Sequence, residues 1–207
     1  MEVIKMTDLL KAKLLSESDY VEAAKALGCE VAAIKAVAEV ESAGNGFILD
    51  TVAQTPVPKI LFERHIFRRQ IVAAGKDPMK IPSDICQAKR GGYLGGFAEH
   101  TRLAKATEYG RTEALNSASW GKFQIMGFNY ELCGYKTLQA FINDMYANEG
   151  GHLRAFVGFI KSNPNLLRAI RTKNWAAFAL GYNGKAYKEN NYDVKMENSY
   201  KRHAKIK

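Results

Sequence analysis

The sequence predicts a single, mainly helical domain with one small β element near residues 47–63. Three observations carry that prediction. Apolar residues recur at helical spacing through most of the chain. The first break in that spacing, from Gly44 to Pro58, carries glycine and proline and is flanked by short apolar stretches. No internal repeat, low-complexity tract or linker divides the 207 residues, a length that encloses a full core without a metal or disulfide.

In order, Ser18 is placed to cap a helix running to Leu27, with Gly28 as its left-handed stop, and a second helix spans Glu30 to Glu41. Gly44, Asn45 and Gly46 end the pattern. Phe47–Leu49 and Lys59–Phe62 flank a loop bearing Pro56 and Pro58 and are expected to pair as two strands. A helix from Arg64 to Ala74 stops at Gly75. Lys76–Gly96, with two prolines and four glycines, reads as a long surface excursion. Residues 117–126 read as a serine-capped, apolar helix start in which the amide of Gln124 needs partners. Leu138, Phe141, Ile142 and Met145, then Leu153, Phe156, Val157 and Ile160, mark two further apolar helix faces. Trp175–Gly181 is a short apolar helix leading into Tyr182-Asn183-Gly184.

Hydrophobic residues make up 47% and charged residues 25% of the chain, which excludes disordered, collagen-like and coiled-coil classes. The net charge of +9 points to a polyanionic partner. Cys29, Cys86 and Cys133 are odd in number and lack paired spacing, so buried thiols are expected rather than disulfides or a zinc knuckle. The histidines show no metal-ligand spacing, and no cofactor is expected. Lysines 5, 11 and 13 interrupt the first fifteen residues, so no signal peptide is expected and synthesis should begin in the cytoplasm. No apolar run approaches the roughly 18 residues that span a bilayer.

Glu41 is the most informative residue. It lies seven positions after Ile34, hence about 20° away on the helix, on the stripe of Val37 and Ala38. Lost hydration and the negative end of the helix both raise the pKa of such a carboxyl, as a general acid requires. Glu39 falls about 140° from Ile34, beside Lys35 on the expected wet side. The small residues from Ser42 to Gly46 leave room for a bulky substrate near Glu41.

Four stretches together carry a resemblance: VAEVESAGNGF (37–47), KILFERHIF (59–67), SASWGKFQIMGFNY (117–130) and ALGYNGKAY (179–187). Their order is similar to the signatures of lysozyme-like lytic transglycosylases and goose-type lysozymes, and more closely resembles the N-acetylmuramidase family of bacteriophage endolysins. The resemblance implies an α+β lysozyme-like fold, with helices around a catalytic cleft, that cuts the β-1,4 bond between N-acetylmuramic acid and N-acetylglucosamine in peptidoglycan. It makes Glu41 the catalytic acid and places Ser42, Gln124, Tyr182 and Asn183 against the substrate. Residues 18–207 would form the catalytic domain and 1–17 an extension too short for the wall-binding module that many such endolysins carry. Wall affinity would then come from the domain's own charge.

Glycosidases usually pair two carboxyls. Glu63, inside the apolar run 60–67 and within one of the four motifs, is the second candidate, ahead of Asp50 and Asp84, and His65 could orient it. A structural pair between Glu63 and Arg64 or another arginine is the alternative. The expected partners are glycan strands, met by a monomer made in a host cytoplasm and acting in the periplasm. The resemblance also implies a holin-like partner for the inner membrane. Lys201, Arg202, Lys205 and Lys207 could touch anionic lipid. No nucleic acid is expected. A DNA-binding helix-turn-helix over residues 20–41 would leave the later motifs unexplained. A lytic transglycosylase making 1,6-anhydro ends and a non-catalytic wall-binding module remain the other readings.

Overall fold

The computed structural model describes residues 6–42, 44–50 and 52–205. A short helix, α1 (Met6–Lys11), precedes α2 (Glu17–Leu27) and α3 (Val31–Glu41). The cap of α2 is Ser16, not Ser18. Asp19 stands three residues after Ser16, so side chain and backbone of the two close a reciprocal capping box, while Ser18 falls within the first turn. Gly28 ends α2 at φ 65° as expected. The segment before Ser18 is tied to the body: the Leu15 amide donates to Glu149 Oε2 and the Lys13 ammonium to the Ala147 carbonyl. On α3, Ala33, Ile34, Ala36, Val37 and Ala38 are all buried, because α2 and α11 (Tyr192–Lys205) pack along it.

The β structure differs from expectation in its pairing. β1 (Phe47–Asp50) pairs with β2 (Thr55–Pro58), and β3 (Ile60–Phe62) pairs instead with β4 (Ala118–Trp120), which pairs with β5 (Ile125–Met126). Asp50 explains the tight first hairpin, since its Oδ1 accepts the amides of Val52 and Ala53 and turns the chain at once. The Lys59 amide donates to the Gly46 carbonyl. Counting in twos from that bond leaves Pro56 and Pro58 at positions where no ladder N–H is needed. Residues 117–126 are therefore a strand, a turn and a strand rather than a helix start. Gly121 at φ 68° and Gln124 at φ 49° fold the turn back on β4.

α4 (Arg64–Ala73) ends near Gly75 at φ 72°, and Lys76–Gly96 contains one short 3-10 turn, Pro78–Lys80. That segment is not wholly on the surface, because Ile81, Ile85 and Cys86 are buried. It is fastened by α5 (Ala98–Thr107): the buried carboxylate of Glu99 accepts the amides of Phe62, Leu94 and Gly95 and a guanidinium bond from Arg102. After α6 (Arg111–Asn116), the chain forms α7 (Leu138–Ala147), α8 (Glu149–Ser162), α9 (Pro164–Arg171), α10 (Trp175–Asn183) and α11. The expected apolar faces of α7 and α8 join one continuous core. Cys86 and Cys133 are buried free thiols and Cys29 is half-buried.

Candidate active site

Glu41 is the last residue of α3, and its carboxyl opens into a cavity of about 340 Å³ between the β4–β5 hairpin and α10. Phe123, Met126, Phe159 and Tyr182 give that cavity apolar walls. Burial pushes the Glu41 carboxyl up to about 7, against the opposing effect of a 2.7 Å hydrogen bond that Asn183 Nδ2 donates to Oε1. With Oε1 held, Oε2 is left to carry the proton. Asn183 can reach Glu41 because α10 runs on past Gly181 and presents Tyr182 and Asn183 in its last turn.

Tyr182 is caged by Phe156, Phe159 and Phe178, and its hydroxyl donates to the Phe123 carbonyl. Burial and the neighbouring Glu41 hold the phenol above its ordinary range, so it stays neutral. Gln124 lines the same cavity. Its amide is fully used inside the protein: Oε1 accepts from Ser119 Oγ, and Nε2 donates to the Gly121 and Lys59 carbonyls. Those bonds fix a left-handed backbone that glycine would adopt more easily. Ser42 faces elsewhere, into a separate hollow of about 590 Å³ with Lys35, Glu39, Lys122 and His203.

Glu39 lies on the exposed side of α3, as expected, and lines the same hollow as Lys35, but the two do not pair. Lys35 pairs with Glu17 at 2.7 Å, and Glu39 bonds across to Ser199, Arg202 and His203 of α11. Partial burial alone would raise its pKa, but those bonds and charges hold it below the ordinary carboxylate range. The two glutamates of the motif thus titrate in opposite directions.

Glu63 is 7% exposed and is not among the residues lining the Glu41 cavity. Its oxygens accept the Tyr93 hydroxyl at 3.0 and 2.9 Å, and Arg90 lies 3.9 Å away. His65 Nδ1 is 3.1 Å from Oε2 but out of line for a hydrogen bond. Arg64 turns away and donates to the Lys89 carbonyl. The Glu63 amide continues the β3–β4 ladder onto Ser117. By strand alternation Glu63 therefore shares a sheet face with Leu61, Ser119 and Met126, and Met126 lines the cavity of Glu41. Asp50 is occupied in its turn, and Asp84 is bound by Lys105, which lowers its pKa.

The sequence reading missed the group that shapes the turn after Glu41. Glu149, 1% exposed, accepts the Gly46 amide and the Lys122 ammonium. His152 fills the space beside that turn, so that a Cβ on Gly46 or Gly121 would stand 2.5 or 2.7 Å from its ring. Gly46 is thus small for His152, not for a substrate, whereas Gly44 faces open space. The available signal was Glu149 ahead of two glycines at a helix start. Among the described residues, no group of three or more His, Cys, Asp or Glu is placed to hold a metal ion, and no helix is long and apolar enough to cross a membrane.

A carboxyl with a raised pKa thus ends α3 in a cavity of mixed polar and apolar lining beside the three-stranded sheet. The sequence model of the N-acetylmuramidase family matches residues 30–204. The chain belongs to that family and is a lysozyme-type glycoside hydrolase of peptidoglycan. Among solved structures, that of the Burkholderia AP3 phage endolysin is similar, with a TM-score of 0.87 and 44% identity over 94% of this chain and 73% of that one. Comparison with curated proteins finds no match. The resemblance read from the four motifs, and the mainly helical fold with a small β element, are borne out.

Proposed function

We propose that Glu41 is the general acid for cleavage of the β-1,4 bond between N-acetylmuramic acid and N-acetylglucosamine. The carrying observation is its carboxyl, raised to about 7 by burial in the cavity and held on one oxygen by Asn183. The protonated Oε2 donates to the glycosidic oxygen as the bond to the sugar breaks. The carboxylate left behind then accepts the proton of an incoming water, because a group near neutrality serves both steps. Tyr182 and Gln124 act as walls that fix this geometry. Ser42 contributes by ending α3, its amide donating to the Ala38 carbonyl.

On this reading Glu63 is the second carboxylate, directing the water from the sheet face it shares with Met126. Hydrolysis must position a water, which a second carboxylate does well, whereas a transglycosylase lets the substrate's own hydroxyl attack. The likeness to a phage endolysin supports a role in host lysis, with synthesis in the cytoplasm, action as a monomer in the periplasm and no nucleic-acid partner. The two helices of the candidate DNA-binding unit support the last point, since α3 is covered by α2 and α11.

Mass spectrometry of digests of purified peptidoglycan tests the proposal. Reducing N-acetylmuramic acid ends are expected, lost by about 10²–10⁴ in rate in Glu41→Gln and strongly slowed in Glu63→Gln. Anhydro ends would overturn the hydrolytic route. Hydrolysis at normal speed by a stable Glu63→Gln enzyme would move water handling to another group, such as the substrate's acetamido oxygen.

A further inference from the structure

The charge of this chain is unevenly placed. Between Arg64 and Gly92, seven cations face only the carboxylates of Asp77 and Asp84, a net +5 of the chain's +9. The fold neutralises only part of this excess. Asp84 is held by Lys105 from α5, and Asp77 caps the turn at Met79. Lys76 pairs with Glu113 and Arg90 approaches Glu63. Arg64, Arg68, Arg69, Lys80 and Lys89 have no carboxylate partner among the described residues. The basic C-terminal helix is different: Lys201 pairs with Glu197, and Arg202 and His203 with Glu39.

These cations share a surface. Ile66, Phe67 and Ile71 bury one side of α4 and leave Arg69 and Val72 on the outer side. The Pro78–Lys80 turn packs on α4. The returning segment crosses the start of the helix, where the Gln87 amide donates to the Arg64 carbonyl and Arg64 donates to the Lys89 carbonyl. Amid the cations, Met79 is 83% exposed and Val72 51%. A polyanion such as nucleic acid, or the carboxylates of wall peptides, would reward the charges and nothing else. A bilayer of anionic phospholipid rewards both, with cations at the headgroup phosphates and aliphatic side chains at the acyl boundary.

We propose that the α4 face, from Arg64 to Lys89 with Met79 at its apex, docks on anionic phospholipid bilayers. This moves membrane contact from the C-terminal helix, whose charges are largely paired, to a face on which five of seven cations have no carboxylate partner among the described residues. The test is sedimentation of the full chain with vesicles of equal parts phosphatidylglycerol and phosphatidylcholine, against phosphatidylcholine alone, across a salt series. Binding to the anionic vesicles only, weakened by salt, is expected. Arg68→Gln, Arg69→Gln and Lys80→Gln together should lower partitioning by about 100-fold, at about fivefold per cation, and Met79→Ser by several-fold. Both variants should cleave purified peptidoglycan at the wild-type rate, which keeps this result separate from the assignment of Glu41. The proposal is overturned if the triple variant binds anionic vesicles like the wild type. It is equally overturned if Met79→Ser binds unchanged, leaving plain charge attraction, or if the triple variant loses sedimentation with purified peptidoglycan while the wild type ignores vesicles.

Discussion

Glu41→Gln should make the protein more stable at alkaline pH while removing its activity, and the size of the gain follows from the site. The carboxyl has a pKa of about 7 in the folded chain against 4.5 when free of its surroundings. Between those values the folded state binds the proton that the unfolded state has released, so stability is fullest below pH 4.5 and is lost as pH rises to about 7. At about 1.4 kcal/mol per pH unit, the displacement amounts to about 3 kcal/mol, and partial solvent access reduces it to about 2 kcal/mol. Glutamine does not titrate, and its Oε1 still accepts the Asn183 amide. Urea unfolding of both proteins at pH 4, 6 and 8 should therefore show the variant gaining about 2 kcal/mol on the wild type from the lowest pH to the highest. That gap corresponds to about 4–8 °C in Tm for a domain of this size. A gap that stays within about 0.5 kcal/mol at every pH would show that Glu41 titrates as an ordinary surface acid, and the general-acid argument would fall with it.

Three further outcomes follow from neighbouring contacts. The alkaline limb of kcat/KM should lie near pH 7, and Asn183→Leu, which removes the bond that holds the Glu41 pKa down, should move that limb to higher pH; an unmoved limb would mean that another group sets it. Gly46→Ala should cost about 1–3 kcal/mol in urea unfolding and slow turnover, since its Cβ would meet the His152 ring at 2.5 Å beside the turn that follows Glu41; wild-type stability would show that the turn can shift freely. Tyr93→Phe should destabilise by about 1–3 kcal/mol, because it strips the hydroxyl donor from the nearly buried Glu63, and calorimetry that finds no change would show that water replaces it.

Much of this molecule was legible in its sequence wherever a residue's environment follows from its own element. The stripe Ile34, Val37, Ala38 and Glu41 marked one of the two glutamates of the 37–47 stretch as the one to be drawn from water. The faces of α7 and α8 are similarly set by spacing alone, because 3.6-residue periodicity is a property of the helix and needs no partner to be read. Partner choice is another matter. Phe47–Asp50 takes Thr55–Pro58 across the turn that Asp50 closes, and Ile60–Phe62 takes a strand 58 residues away. The surroundings of Glu41 are likewise decided at a distance: Asn183 is 142 positions away, and Glu149 reaches the Gly46 amide across 103. Local sequence marked Glu41 as a carboxyl to be buried. Only the packed structure decided which donor holds it, which way Ser42 and Glu39 turn, and that His152 occupies the room beside Gly46. A buried polar group must be satisfied by whatever the fold brings within about 3 Å, and that neighbour is set by the closure of the whole core, which no local pattern encodes.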